Sequence, residues 1–171
     1  MQKQLHFTNP AMTIRQIRLI SGFLLLLAAL PGRSEQMAQG AVSLAKDYRL
    51  DVEIADTAPL REYGLMHREH LQENQGMLFV YPDQALRGVW MKNTLLALDI
   101  LFLSADGTIL SMLRNLLPCR QDPCPIYTSG VPAQYMLEVN SGFIDKHGLA
   151  IGQTLMLDYR RNAPADTGTL F

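Results

Sequence analysis

The stretch from Gly88 to Leu103, GVWMKNTLLALDILFL, decides how the chain is read. It holds the only tryptophan, Trp90, places Lys92 and Asn93 inside one apolar run, and puts Asp99 at the head of another. Side chains alternate faces along a strand. Trp90, Lys92 and Thr94 are therefore expected on one face of a first limb, with Val89, Met91 and Asn93 on the other. In a second limb Leu98, Ile100 and Phe102 share a face, leaving Asp99 beside Leu101 and Leu103. Both faces of that limb are apolar, the pattern of a central strand covered on both sides. An aspartate there must be paired or hydrogen-bonded. Either it caps the turn through backbone N–H groups, or it pairs with Lys92 or an arginine lining a pocket. The connection Leu95–Ala97 is apolar for a hairpin tip, where Gly, Asn and Asp lead, so it is expected to be buried or to touch a partner.

Toward the N-terminus the chain stops looking like a domain. Residues 1–18 carry Lys3, Arg15 and Arg18 without an acid, and the uncharged run Leu19–Leu30 is followed by PGRSEQ. A basic segment, a short apolar core and small polar residues describe a secretory signal. Twelve apolar residues fall short of the ~20 that span a bilayer as a helix. The segment 1–34 is accordingly read as a signal peptide cut after Ser34, with a retained anchor as the alternative and the sole expected tie to a membrane. Localisation is expected to be periplasmic or extracellular. All sixteen acidic residues follow Ser34, whereas only eleven of the fifteen basic ones do. The remaining 137 residues then carry a net charge of −5 and are long enough to bury a core. Nucleic-acid binding shows itself as a basic patch or stripe, and no nucleic-acid partner is expected.

Cys119 and Cys124 are the only cysteines. In an exported chain they read as one structural disulfide; four intervening residues do not match the two of a thioredoxin-like pair. Residues 35–47 are taken as a linker. Tyr48–Ile54 alternates as a half-buried strand, and Asp56 or Thr57 can cap a helix with Pro59 in its first turn. That helix is expected to run from about Ala58 to His67. Arg61, Gly64 and Arg68 would then share one face, with two guanidiniums flanking a bare patch that packs on a strand or holds a carboxylate or phosphate. Gln75-Gly76 turns into a short strand ended by Pro82-Asp83. Asp106-Gly107 signals a hairpin within a meander of antiparallel strands. Tyr135–Val139 is a further strand, Ser141 a helix cap with Gly148 as its stop, and Thr154–Tyr159 the last strand before a loose tail at 160–171.

The motifs REYGLMHR (Arg61–Arg68), GMLF (Gly76–Phe79), WMKNT (Trp90–Thr94), LDILF (Leu98–Phe102) and YMLEV (Tyr135–Val139) come in an order that resembles the DUF192 family. Gly142, Gly148 and Gly152 add to the likeness, which covers about Tyr48 to Tyr159. The resemblance implies a mainly β domain over residues 48–159, a compact antiparallel β sandwich or barrel with one or two short helices. It brings no activity, cofactor or catalytic residue, and its motif residues Arg61, Lys92, Asn93, Asp99 and Glu138 carry over only as candidates. Where the family often has a proline in the tip, this chain has Ala97.

Three kinds of function fit these residues. The preferred one is a module binding a sugar-like or anionic small molecule, because polar residues of both signs punctuate apolar elements. Its candidates are Arg61, Arg68, Trp90, Lys92, Asn93, Asp99, Tyr135 and Glu138, with Trp90 and Tyr135 as stacking surfaces. The second is a hydrolytic enzyme, less favoured, in which Asp99 and Glu138 stand about 5–10 Å apart. The third is a structural or protein-interaction module of the cell envelope, touching its partner through Leu95–Ala97. His67 and His70, with Met66 and Met77, are weak soft-metal candidates; neither a metal nor any other cofactor is expected.

Overall fold

The computed structural model describes residues 37–45 and 48–160. The expected signal segment 1–34 and tail residues 161–171 lie outside them. Seven strands form one mixed sheet: β1 (Ala38–Ala45), β2 (Tyr48–Ala55), β3 (Gln75–Trp90), β4 (Leu98–Leu103), β5 (Ile109–Leu116), β6 (Ile126–Asn140) and β7 (Met156–Tyr159). Two short helices, α1 (Ala58–Tyr63) and α2 (Phe143–Lys146), complete it. The sheet order is β5-β4-β6-β3-β2-β1-β7. Every pairing is antiparallel except β2 with β3, which the α1 crossover makes parallel. The sheet is open, yet its two edges are stitched where Thr108 bridges Thr154, Ile109 N donates to Gln153 O and Leu155 N donates to Gly107 O. Among the described residues no helix is long and apolar enough to cross a membrane.

The strand LDILFL is where the periodicity argument succeeds. All six residues of β4 are buried between β5 and β6. Leu98, Ile100 and Phe102 enter one apolar cluster and Leu101 and Leu103 the other. The central strands β3 and β6 divide the same way: Met77 and Phe79 of β3 and Met136 of β6 join the first cluster, Leu78 and Val80 of β3 and Tyr135, Leu137 and Val139 of β6 the second. Two cores thus lie on opposite faces of the central strands. Asp106-Gly107 does turn β4 into β5. Gly107 has φ +84°, and a Cβ there would fall 2.3 Å from Leu155 O, so only glycine fits.

Several expectations give way. The linker expected at 35–47 contains β1, because Gly40–Ser43 pair on both sides, with β2 and β7. The strand beginning at Gln75 does not end at Pro82. Pairing jumps from Val80–Tyr135 to Ala85–Ala133, so Pro82 lies in a bulge where its missing N–H costs no ladder bond. The connection 91–97 is no hairpin either, since β3 and β4 flank β6 on opposite sides and the segment crosses between them. Its tip is not buried throughout: Leu95 is exposed and Leu96 and Ala97 partly so.

Candidate functional site

Helix α1 starts where the sequence says it should, with Thr57 Oγ1 accepting Leu60 N at 3.4 Å and Pro59 in the first turn. It stops after Tyr63 rather than at His67. Gly64 takes φ +49° and its N–H closes on Leu60 O at 2.9 Å, so this glycine ends the helix instead of interrupting it. His67 also has positive φ, +61°. The common face expected for Arg61, Gly64 and Arg68 therefore does not exist. Among the described residues no group of three or more His, Cys, Asp or Glu is placed to hold a metal.

The two arginines are taken up by the scaffold. Arg61 Nη1 donates to Asp56 O at 2.6 Å and Val80 O at 2.9 Å, and its guanidinium lies 5.1 Å from the centre of the Tyr81 ring. Arg68 forms a two-pronged pair with Glu53, one arm at 2.7 Å. Neither flanks a bare anion-binding patch.

Along the first limb the alternation holds through Lys92. Val89 and Met91 are buried, Trp90 and Lys92 exposed, and Lys92 Nζ lies 5.1 Å from the Trp90 ring. At Asn93 the backbone turns with φ +54°, which leaves Asn93 exposed and Thr94 buried, the reverse of the strand expectation. Asn93 O accepts His67 N at 2.8 Å, tying this turn to the loop after α1. The turn and α1 enclose a cleft of about 370 Å³ lined by Tyr63, Met66, Trp90, Lys92 and Asn93, with Pro59 and Glu62 on the helix side.

Beneath the cleft, and sharing Glu62, Tyr63, Met66 and Trp90 with it, is a cavity of about 70 Å³. Glu138 and Thr94 line it, with Arg61, Tyr81 and apolar Phe79, Val89 and Met136. Strand alternation puts Glu138 on the face of Met136, in register with Met77 and Ile100, all apolar. It is 5% exposed, and its side chain makes no hydrogen bond or ion pair among the described residues. Burial pushes the Glu138 carboxyl up to about 8, which keeps it protonated at neutral pH. Nearby Tyr81 also has its pKa raised, mainly by burial, while Arg87, 3.9 Å from its ring centre, acts in the opposite direction.

Asp99 lies elsewhere. It faces the opposite side of the sheet from Glu138, because it pairs with Val139. The acid–base pair imagined for hydrolysis is thus split by the sheet. Asp99 Oδ1 accepts Asn115 N at 2.8 Å and Oδ2 accepts Ile144 N at 3.0 Å. The first N–H belongs to a bulge in β5, where pairing skips from Leu98–Leu116 to Ile100–Leu113; the second is the opening turn of α2. Backbone capping, not pairing with Lys92 or an arginine, is therefore its role. Ser141 does not cap α2: its Oγ donates to Asn115 Oδ1 at 2.9 Å, and Gly142 is the N-cap without a side-chain bond. Tyr135 is in the other core, where Tyr159 Oη donates to its hydroxyl at 3.2 Å, and it offers the cleft no stacking surface.

Of the eight candidates, Arg61, Trp90, Lys92, Asn93 and Glu138 gather at the cleft and cavity, while Arg68, Asp99 and Tyr135 do not. Tyr63, Tyr81 and Thr94 join the site without having been singled out. Tyr63 lies inside the REYGLM motif and Thr94 inside WMKNT, so motif membership was a usable signal for both. Cys119 and Cys124 form the expected disulfide, with Cα atoms 5.9 Å apart. Cys119 N donates to Met91 O at 3.2 Å, linking its loop to the end of the Trp90 limb. A hollow of about 500 Å³ at that loop is lined by Met91, Pro118, Tyr127 and exposed Arg120, with no buried polar group.

Comparison with known proteins settles the lineage of this arrangement. The model of the DUF192 family, described as an uncharacterized ACR, matches residues 41–171. The chain belongs to the DUF192 family. Among solved structures it is similar to a Sinorhizobium meliloti 1021 protein described as a candidate transcription regulator, at 34% identity and TM-score 0.67, covering 72% of this chain and 97% of that one. It is also similar to a Novosphingobium aromaticivorans DSM 12444 protein of unknown function, at 26% identity and TM-score 0.61, covering 74% and 89%. No curated protein matches the chain. The DUF192 match starts inside β1 and spans every later strand.

Proposed function

We propose that this DUF192 domain is exported and binds a neutral, sugar-like small molecule in the cleft between α1 and the Trp90–Asn93 turn. The observation that carries this reading is the pair of exposed aromatic rings, Trp90 at 39% and Tyr63 at 50%, lining one cleft above a cavity that holds a buried carboxyl. Apolar faces with a few placed polar groups suit a sugar-like ligand. Glu62, Lys92 and Asn93 supply such groups at the rim. An anionic ligand is the weaker form of the idea, because Arg61 and Arg68, the cations it relied on, are occupied by carbonyls and by Glu53. Export is supported by the N-terminal pattern and by the disulfide, which persists in oxidising compartments. A role in transcription, as described for the Sinorhizobium relative, is favoured by no feature of the cleft. There one lysine is offset by Glu62, unlike the basic stripe that nucleic acids require.

The test uses the single tryptophan. Titration with neutral monosaccharides and disaccharides at millimolar concentration should change Trp90 fluorescence in a saturable way, and calorimetry should show the binding lost in Trp90→Ala. A silent fluorophore across the whole sugar set would sink the reading.

A further inference from the structure

The inner cavity ends on a carboxyl that the rest of the fold does not use. Asp99, Glu53 and Asp145 each hold a backbone N–H or an arginine. Glu138, buried like Asp99, makes no hydrogen bond or ion pair among the described residues and lines the cavity wall. Among the described residues the enclosed side-chain atoms left without a partner do not include its oxygens, so the Glu138 carboxyl opens on the cavity and can be met by a group that enters from outside. About 70 Å³ admits roughly two water-sized groups, a water's share of the liquid being about 30 Å³. Thr94 also lines the cavity, and its hydroxyl donates to Lys92 O at 3.3 Å and so keeps acceptor capacity.

We propose that this cavity is a subsite for the hydroxymethyl group of the cleft's ligand, with Glu138 and Thr94 as its hydrogen-bond partners and the ring left outside against Trp90. The inference rests on the cleft being a sugar site. A protonated carboxyl both donates and accepts, as does a primary alcohol, and CH₂OH is small enough for the volume. Besides Glu138, the charged and titratable groups around the cavity are Arg61, Glu62 and Tyr63 from α1 and Tyr81 from β3, with Lys92 beyond Trp90. Arg61 is held by two carbonyls. An ammonium or a carboxylate entering here would pay desolvation against the apolar walls.

The experiment titrates the wild-type protein with the methyl glycosides of glucose, galactose and mannose and with the 6-deoxy analogue of each, by Trp90 fluorescence and calorimetry. At least one parent glycoside should bind about tenfold more tightly than its 6-deoxy analogue, the effect of one buried hydrogen-bonding group left unmatched. Glu138→Gln, which still donates and accepts, should keep most of that preference; Glu138→Met should bring the ratio close to one. Parent and analogue binding alike, or a preference that survives in Glu138→Met, overturns the subsite while leaving the cleft as a sugar site. If none of the glycosides binds, the sugar reading fails and the subsite with it.

Discussion

Replacing Glu138 by glutamine should open a stability difference in the variant's favour as pH rises. The carboxyl titrates at about 8 in the folded protein against 4.5 for an ordinary glutamate. Between those values the unfolded chain has given up a proton that the folded state still holds, so stability falls as pH rises. The contribution is intact below pH 4.5, is lost progressively through the interval and is gone above the folded pKa. At about 1.4 kcal/mol per pH unit, the full interval amounts to about 5 kcal/mol. Glutamine has nearly the same shape and does not ionise. Near pH 5 the two proteins should agree within about 1 kcal/mol; by pH 8 the variant should be the more stable by several. Other titrating groups, such as His147, whose imidazole burial pushes down, are common to both and cancel in the difference. The assay is urea unfolding of both proteins by circular dichroism at intervals from pH 5 to 9. A difference that stays constant within about 0.5 kcal/mol from pH 5 to 8 would refute the reasoning, because Glu138 would then have water or a partner beside it.

Three further outcomes are expected. Asp99→Ala should destabilise by about 3–4 kcal/mol in the same assay, since it strands the N–H groups of Asn115 and Ile144; a loss under about 1 kcal/mol would mean that water replaces the carboxylate. The Cys119→Ser, Cys124→Ser double variant should lose about 2 kcal/mol on the chain-entropy account of its short loop, and a reductant should lower the wild-type Tm but not the variant's. Expression of the full chain in a bacterial host, followed by fractionation and intact mass, should give an exported species beginning near Glu35; a full-length protein confined to the cytoplasm contradicts export.

The family, the mainly β class, the doubly covered strand Leu98–Leu103, the Asp106-Gly107 turn, the Thr57 cap and the Cys119–Cys124 pair were all legible in the sequence. Each depends on local rules: alternation over a few residues, turn chemistry, a cap beside a proline, or a motif order. What sequence reasoning missed were contacts with no local trace. Pairing of β3 with β6 rather than β4 turned the supposed hairpin tip into a crossover. The register of β4 on β6 puts Asp99 opposite Val139 and so leaves Asp99 and Glu138 on opposite faces, though their strands are neighbours, because a one-residue offset reverses the side of the sheet. Arg61 and Arg68 looked like ligand holders until Val80 O and Glu53, distant in the chain, claimed them. At the cleft Asn93 O accepts His67 N, joining two segments that no pattern within either one associates. Periodicity reports which side of an element meets apolar surroundings; which partner a buried charge finds there is decided by tertiary packing, since the cost of leaving it unpaired acts only once the chain has closed around it.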